Sequence, residues 1–296
     1  MNAFSGCVDA TFCVKSILSL KSPKNAQKYL TRLHNIIAFP EISADDIKMR
    51  RWDKYPSVKG IHIVKPIRRK DLSNSVFMKK IANKLSFDIS RFTEFLAGYG
   101  NAEEDIKPIM LHYAMIYLFD FFSRSWLKFG QNRRHGLKII PPSEGSSIDE
   151  YTLEIWKNGI FQRAVDAFYF GYQSSLFSLD GSFGIDYHKL FFDSKTEKIE
   201  KWEYSKTPKI KLGRLFRIYD RIDFRTPAYS SKKSNPILIG YVLLFSLSSI
   251  SRYRAEDWWK IREDKNLNTK LELLQYDFIY EWIPEILRQT VLRQRA

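Results

Sequence analysis

Cysteine is nearly missing from this chain. Cys7 and Cys13 are the only two among 296 residues. A disulfide scaffold is thereby excluded, and a reducing, cytoplasmic setting is the expectation. The pair is six residues apart with no histidine beside it, a poor arrangement for zinc. Glycine and proline are sparse, at 13 and 11, which argues against a sandwich or barrel with many tight turns. Long apolar runs are missing too. The longest, Ile237 to Ile250, spans 14 residues and includes Ser246, Ser248 and Ser249. About 20 apolar residues are needed to span a bilayer, so this run reads as a buried helix and no transmembrane segment is expected. The first residues lack a basic stretch, an apolar core and a cleavage site, so no signal peptide is expected. There is no internal repeat, Walker loop, G-x-S-x-G elbow, H-x-x-x-H pair or acidic metal cluster. No cofactor and no metal site are expected.

What is present is apolar bulk and positive charge. Hydrophobic residues make up 44% and aromatics 15%, ample for a packed core. Lys and Arg number 48 against 33 Asp and Glu, a net charge of +15. Such a surplus points to a polyanionic partner, nucleic acid or an acidic membrane. Charge kept for solubility is the competing explanation.

Apolar spacing predicts a helix over Pro23 to Ala38, with Ser22 as N-cap. Val58 to Ile67 reads as a strand. Helices are predicted over Asn74 to Ala97, from Pro108 through Trp126 or beyond, from Pro236 to about Ile261, and from Leu271 to Leu292 with an interruption near Pro284. The second of these is apolar on nearly every side, which places it in a core. Glu103, Glu104 and Asp105 precede it and complement its dipole. Leu153 and Ile155 alternate with polar residues before Asn158-Gly159, a strong hairpin signal. The sum is an α+β chain, predominantly α-helical with a small antiparallel sheet or hairpin.

Three segments resemble the YaaC-like family. Lys107-Pro108-Ile109-Met110-Leu111-His112-Tyr113-Ala114-Met115 is similar to that family's helix start, and Arg134-His135-Gly136-Leu137-Lys138 follows it. Leu153 to Phe161, containing Asn158-Gly159-Ile160-Phe161, is the second. Gly240 to Tyr253, followed by Glu256 and Trp258-Trp259, is the third and most specific. Ala114 stands where Gly is common, and Phe245-Ser246 where Tyr-Asn is. The resemblance implies one domain over residues 1–296. It has a helical and irregular part at 1–100, core helices at 106–135, a hairpin region at 150–170 and a helical part at 206–296. It implies little mechanism, because the family's function is obscure.

His135 follows Arg133 and Arg134. An Arg–His pair can bind phosphate or cleave RNA by acid–base chemistry. Arg124 is a more distant candidate for the same partnership. The plainer alternative is a helix-end histidine closed by a Gly136 cap. His34, His62, His112 and His188 are isolated and read as structural. Arg252 either pairs with Glu256 one turn on, is buried against a fixed partner, or lines a phosphate pocket with the tryptophans. The strongest binding candidate is Lys206 to Arg225. Arg214, Arg217, Arg221 and Arg225 would form one stripe if the segment is helical throughout. Lys65, Arg68, Arg69 and Lys70 add a second patch. Lys48, Arg50, Arg51 and Lys54, with Trp52, add a third.

The expected function is a non-enzymatic accessory protein. It binds nucleic acid, or a partner that carries it, through these patches, with antiphage defence as the suggested setting. The alternatives are a cryptic ribonuclease using the Arg/His pair and a protein-binding adaptor.

Overall fold

The computed structural model describes residues 18–36, 65–67, 69–128, 135–144, 147–155, 159–161, 164, 209–220, 236–283 and 286. Helix α1 (Pro23–Ile36) buries Ala26, Tyr29, Leu30 and Leu33 and exposes the opposite side. Strand β1 (Lys65–Pro66) and the short helix α2 (Arg69–Leu72) follow. Helix α3 (Ser75–Gly100) is capped by Asn74, whose side chain accepts from the Phe77 N–H at 3.0 Å. Helix α4 (Lys107–Trp126) packs against α3 and runs directly into β2 (Leu127–Lys128), which pairs antiparallel with β1.

A three-stranded antiparallel sheet follows, in the order β3 (Leu137–Ile140), β4 (Thr152–Ile155), β5 (Lys209–Lys211). Leu137, Leu153, Ile155 and Ile210 turn inward. On the outer side Lys209 pairs with Glu154 at 3.0 Å, and Lys211 pairs with Glu150. The α+β class, predominantly helical with a small antiparallel sheet, is therefore correct. The expected Asn158-Gly159 hairpin is not. Strand β4 takes its partners from β3 before it and β5 far after it, and Gly159 leads into helical residues instead. Tertiary pairing has overridden a local turn signal.

Helix α5 (Leu212–Asp220) starts where β5 stops. Helix α6 (Pro236–Tyr253) is buried at every position from Ile237 to Ile250 and meets α4, α5 and β3. The predicted helix to Ile261 is in fact two. The chain leaves helical geometry at Arg254 and restarts as α7 (Ala255–Glu263). Asp264 then caps α8 (Lys265–Asp277) by accepting from the Asn266 and Leu267 N–H groups. A wider helical turn, Phe278–Trp282, closes α8 and sets Trp282 against α6. The interruption near Pro284 lies outside the described residues. Asp105 does more than complement the α4 dipole. Its side chain accepts from Trp258 Nε1 at 2.7 Å and its carbonyl from Ser251 Oγ at 2.6 Å, so it ties α6 and α7 to the start of α4.

Two contacts fix how these helices meet. Gly240 lies under Trp282: a Cβ there would come within 1.7 Å of Cη2 of that ring. Between α3 and α4, Arg124 bonds Asp88 and reaches Asp120 at 3.0 Å. Burial pushes the Asp88 carboxyl up to about 7, against the pull of Arg124.

A Gly240→Ala variant is expected to lose about 1–3 kcal/mol or more, because the indole cannot yield without shifting the turn that carries it. Urea denaturation of the variant and its parent gives the number. The raised Asp88 pKa has its own signature. A carboxyl that binds its proton more tightly in the fold contributes stability that falls as pH rises from about 4 to about 7. An Asp88→Asn variant should flatten that part of the stability–pH curve relative to the parent. Parallel curves for the two proteins would contradict this.

Candidate functional site

The three motif segments, distant in sequence, meet at one place. Residues 241, 245, 248 and 252 recur at spacings of four, three and four, so they form one stripe on α6. The His112 ring, on α4, lies 5.9 Å from Tyr241 and 5.5 Å from Phe245 between centroids. His135, just before β3, is 5.8 Å from Phe245 and 5.5 Å from His112. The two imidazoles therefore sit side by side against that stripe. Gly136 lets the chain turn from His135 into β3, with φ of 77°. Residues 129–134 lie outside the described residues, so whether a helix ends at His135 does too. Gly159 presses on this turn so closely that a Cβ would fall 2.3 Å from the Gly136 nitrogen. The Phe161 N–H donates to the His135 carbonyl at 3.1 Å, and the Phe161 ring stacks on Tyr241 at 5.8 Å. The Gly159–Phe161 segment thus works as a clamp on His135.

Polar groups at this junction are poorly satisfied. His112 is fully buried, and neither of its ring nitrogens has a hydrogen-bond partner among the described residues. The same holds for His135 Nδ1 and Ser248 Oγ. Arg252 is half-buried. Its Nε donates to the Ser248 carbonyl at 3.0 Å and its Nη1 to the Tyr113 hydroxyl at 3.2 Å. Its guanidinium lies over the rings of Tyr113 and Tyr253, 5.7 and 5.0 Å from their centroids. Of the readings offered for Arg252, the ion pair with Glu256 does not form; the guanidinium turns back along its own helix to a carbonyl. Burial drives the His112 imidazole well below its ordinary pKa, and the charges of His135 and Arg252 add to this. Burial and then Arg252 lower His135 too. Both rings are neutral at pH 7.

Other anticipated residues are scattered. Arg124, considered as a partner for His135, is locked to Asp88 and Asp120; the arginine acting on His135 is Arg252. Arg133, Arg134, Arg68, Arg221 and Arg225 lie outside the described residues, as do His62, His188 and the Lys48–Lys54 cluster. Lys206 to Arg225 is not one helix. Residues 209–211 form β5, whose lysines are ion-paired, and α5 extends from Leu212 to Asp220. Arg217 is exposed on α5 and Arg214 half-buried.

Among the described residues, exposed basic side chains also gather on α1, α2 and α3, which pack together. Lys21, Lys24, Lys28 and Arg32 are exposed, and residues 18–36 contain no acid. Lys70, on α2 with Arg69 and Asp71, and Lys79 and Lys80 on α3 are exposed as well. Lys65 in β1 precedes them in the chain. Beneath them the half-buried Lys84 ammonium is held below its usual pKa by burial, then by Arg124 and Lys80. Positive charge therefore outweighs Asp88 and Asp120 at that point.

No family model, curated protein or solved structure matches this chain. Two sets of residues escaped the reading of the sequence. His112 has no neighbour in the chain that marks it out, and its partners come from two other segments, the residue before β3 and α6. The α1 cations were legible: 24, 28 and 32 are four apart, opposite an apolar stripe, with no acid between them.

Replacing a buried unpaired polar group by an apolar one of similar shape removes a penalty of about 1–3 kcal/mol. His112→Phe is therefore expected to be at least as stable as the parent at pH 7. Both imidazoles are neutral in the fold, so the stability they contribute is present above about pH 6.5 and is lost as pH falls below it. The variant should lose less stability between pH 7 and pH 5. Destabilisation at pH 7 would mean that His112 holds a partner within the chain.

Proposed function

We propose that this chain is a YaaC-like accessory protein that binds nucleic acid through the basic corner of α1, α2 and α3. The observation carrying this reading is the exposed row Lys24, Lys28, Arg32 on a helix segment that has no acidic residue. Its rise of about 12 Å matches roughly three phosphates of one strand. Lys70, Lys79 and Lys80 widen the surface. A lipid headgroup layer is the weaker partner, because the apolar stripe of α1 is already buried in the protein and is not available to enter a bilayer. Among the described residues no helix is long and apolar enough to cross a membrane. The YaaC-like part of the reading is supported by the meeting of its three motif segments around His135. An adaptor role is the second reading. It is favoured by Leu273, Tyr276 and Tyr280, which are exposed at spacings of three and four along α8 and its closing turn.

The test is a fluorescence-anisotropy titration of single-stranded and duplex oligonucleotides over a salt series. Affinity should fall with salt in a log–log line. The triple variant Lys24→Glu/Lys28→Glu/Arg32→Glu should bind about tenfold or more weakly, with a slope shallower by about two to three. Lys209→Ala/Lys211→Ala should change little, since those charges are already neutralised. No binding at low salt, or equal affinity of triple variant and parent, rejects the proposal.

A further inference from the structure

We infer that the junction of α4, α6 and β3 is a binding site for a single phosphate group, held by Arg252, His112, His135 and Ser248. This is separate from the basic corner on α1–α3 and does not rest on it.

Donors without partners and a charge without a counter-charge occur together here. His112 is fully buried with both ring nitrogens unpaired among the described residues, and His135 Nδ1 and Ser248 Oγ are buried and unpaired beside it. A buried polar group in that state costs stability; such atoms occur singly elsewhere in the described core, at Ser123, Gln275 and Trp282, but here four belong to neighbouring residues. Arg252 adds the deciding term. The partners of its guanidinium are a carbonyl, a tyrosine hydroxyl and two aromatic faces, and no carboxylate among the described residues lies within ion-pair distance. No acid contributes to the electrostatics of either histidine. The locale is therefore positive and rich in donors.

Three occupants compete for it. A metal cation is disfavoured, because Arg252 repels it and no group of three His, Cys, Asp or Glu is gathered among the described residues. Ordered water would satisfy the imidazoles, yet it would leave the guanidinium uncompensated. An oxyanion answers both needs: each neutral imidazole offers one N–H, Ser248 offers an O–H, and Arg252 supplies the charge. Phosphate has enough oxygens to take all four. His112 and Ser248 are fully buried, while His135 and Arg252 are half-buried. Donors so deeply buried suit one phosphate group rather than a polymer backbone. The group can belong to free phosphate, to a phosphomonoester or to a phosphodiester.

The experiment is isothermal titration calorimetry of the full chain with inorganic phosphate, a 5′-mononucleotide and a dinucleoside monophosphate, against chloride at equal ionic strength. At least one should bind, and which one identifies the source of the phosphate. Arg252→Met and His112→Phe should each weaken binding about ten- to hundredfold, the loss expected for a charged hydrogen-bond partner. Arg252→Lys should fall between Arg252→Met and the parent. Because a variant can fail through misfolding, nitrogen-15 spectra of the parent's histidine rings supply a second readout. Saturating phosphate should shift the His112 and His135 resonances and leave them in place in folded Arg252→Met. The triple α1 variant should bind phosphate like the parent even where it loses oligonucleotides, so the two proposals fail separately. No heat with any of the three probes, or heat unchanged in Arg252→Met and His112→Phe, overturns the inference and assigns the junction to water.

Discussion

Helix α6 has no polar face, and the rest of the fold answers to that. Every side chain from Ile237 to Ile250 is buried, so neighbours must be supplied on all sides of one cylinder. Helix α4 covers one side, α5 another, β3 a third, and the turn bearing Trp282 a fourth. The contact through Gly240 shows how tight this arrangement is: the indole lies where any side chain at 240 would have to be. Burying so many large apolar groups contributes the bulk of the stability, at roughly 1.5–3 kcal/mol for each fully buried side chain before conformational entropy is subtracted. The polar tethers around the helix then set its register. Asp105 holds Ser251 and Trp258, and Tyr219 on α5 bonds Asp277 at the end of α8. Such bonds add little net energy but penalise any slip of one helix past another.

The same constraint explains why the histidine junction stands out. A helix chosen for complete burial is an unlikely place to leave hydrogen-bond capacity idle. Ser246 follows the economical rule, donating to the Val242 carbonyl at 2.9 Å. Between α1 and α4, Tyr29 donates to Ser125 Oγ at 3.1 Å, and Ser125 donates to the Phe121 carbonyl at 2.9 Å. Ser248, His112 and His135 depart from that rule together, on facing elements, next to the one guanidinium that α6 carries. The buried cation Arg124 is met by opposite charge, from Asp88 and Asp120. The contrast between Arg124, fully answered by acids, and Arg252, answered by neutral groups, separates a structural cation from one that awaits an anion.

The helices were legible because their signals are local. Asn74 caps α3 where the spacing places its start, and α4 and α6 begin at their prolines within a residue. The break at Arg254 was not, since apolar spacing continues across it, whereas the boundary at Asp264 falls between the expected helix end near Ile261 and the next expected start at Leu271, the second helix beginning earlier, at Lys265. The sheet was half legible. Leu153 and Ile155 alternate as a strand should, but β5 pairs with β4 from far along the chain, a partnership that no local pattern encodes. Site residues divide in the same way. The α1 cations are periodic and could be read, whereas the union of His112 with His135 and Arg252 depends on how three elements pack. Lys209 and Lys211 show the opposite error. They look like free positive charge until the sheet register brings Glu154 opposite Lys209 and the turn before β4 brings Glu150 to Lys211.

Helix α4 is the wall between the two candidate surfaces, and its composition shows how one element serves both. On one side it receives α3 and α1: Arg124 reaches Asp88, while Ser125 and Phe121 meet Tyr29. On the other it presents His112 to α6, with Phe119 lying 4.8 Å from Tyr241. Residues 112, 119 and 241 therefore belong to one packed layer, and 121, 124 and 125 to another. A ligand that compensates Arg252 would stabilise the first layer without changing the charges that α1 offers to solvent. Binding at either surface raises the stability of the same helix, because each binds only the folded chain. Separate recognition with shared stabilisation is the behaviour this geometry implies. It follows from α4 being buried on both flanks, and it requires no movement of one site to inform the other.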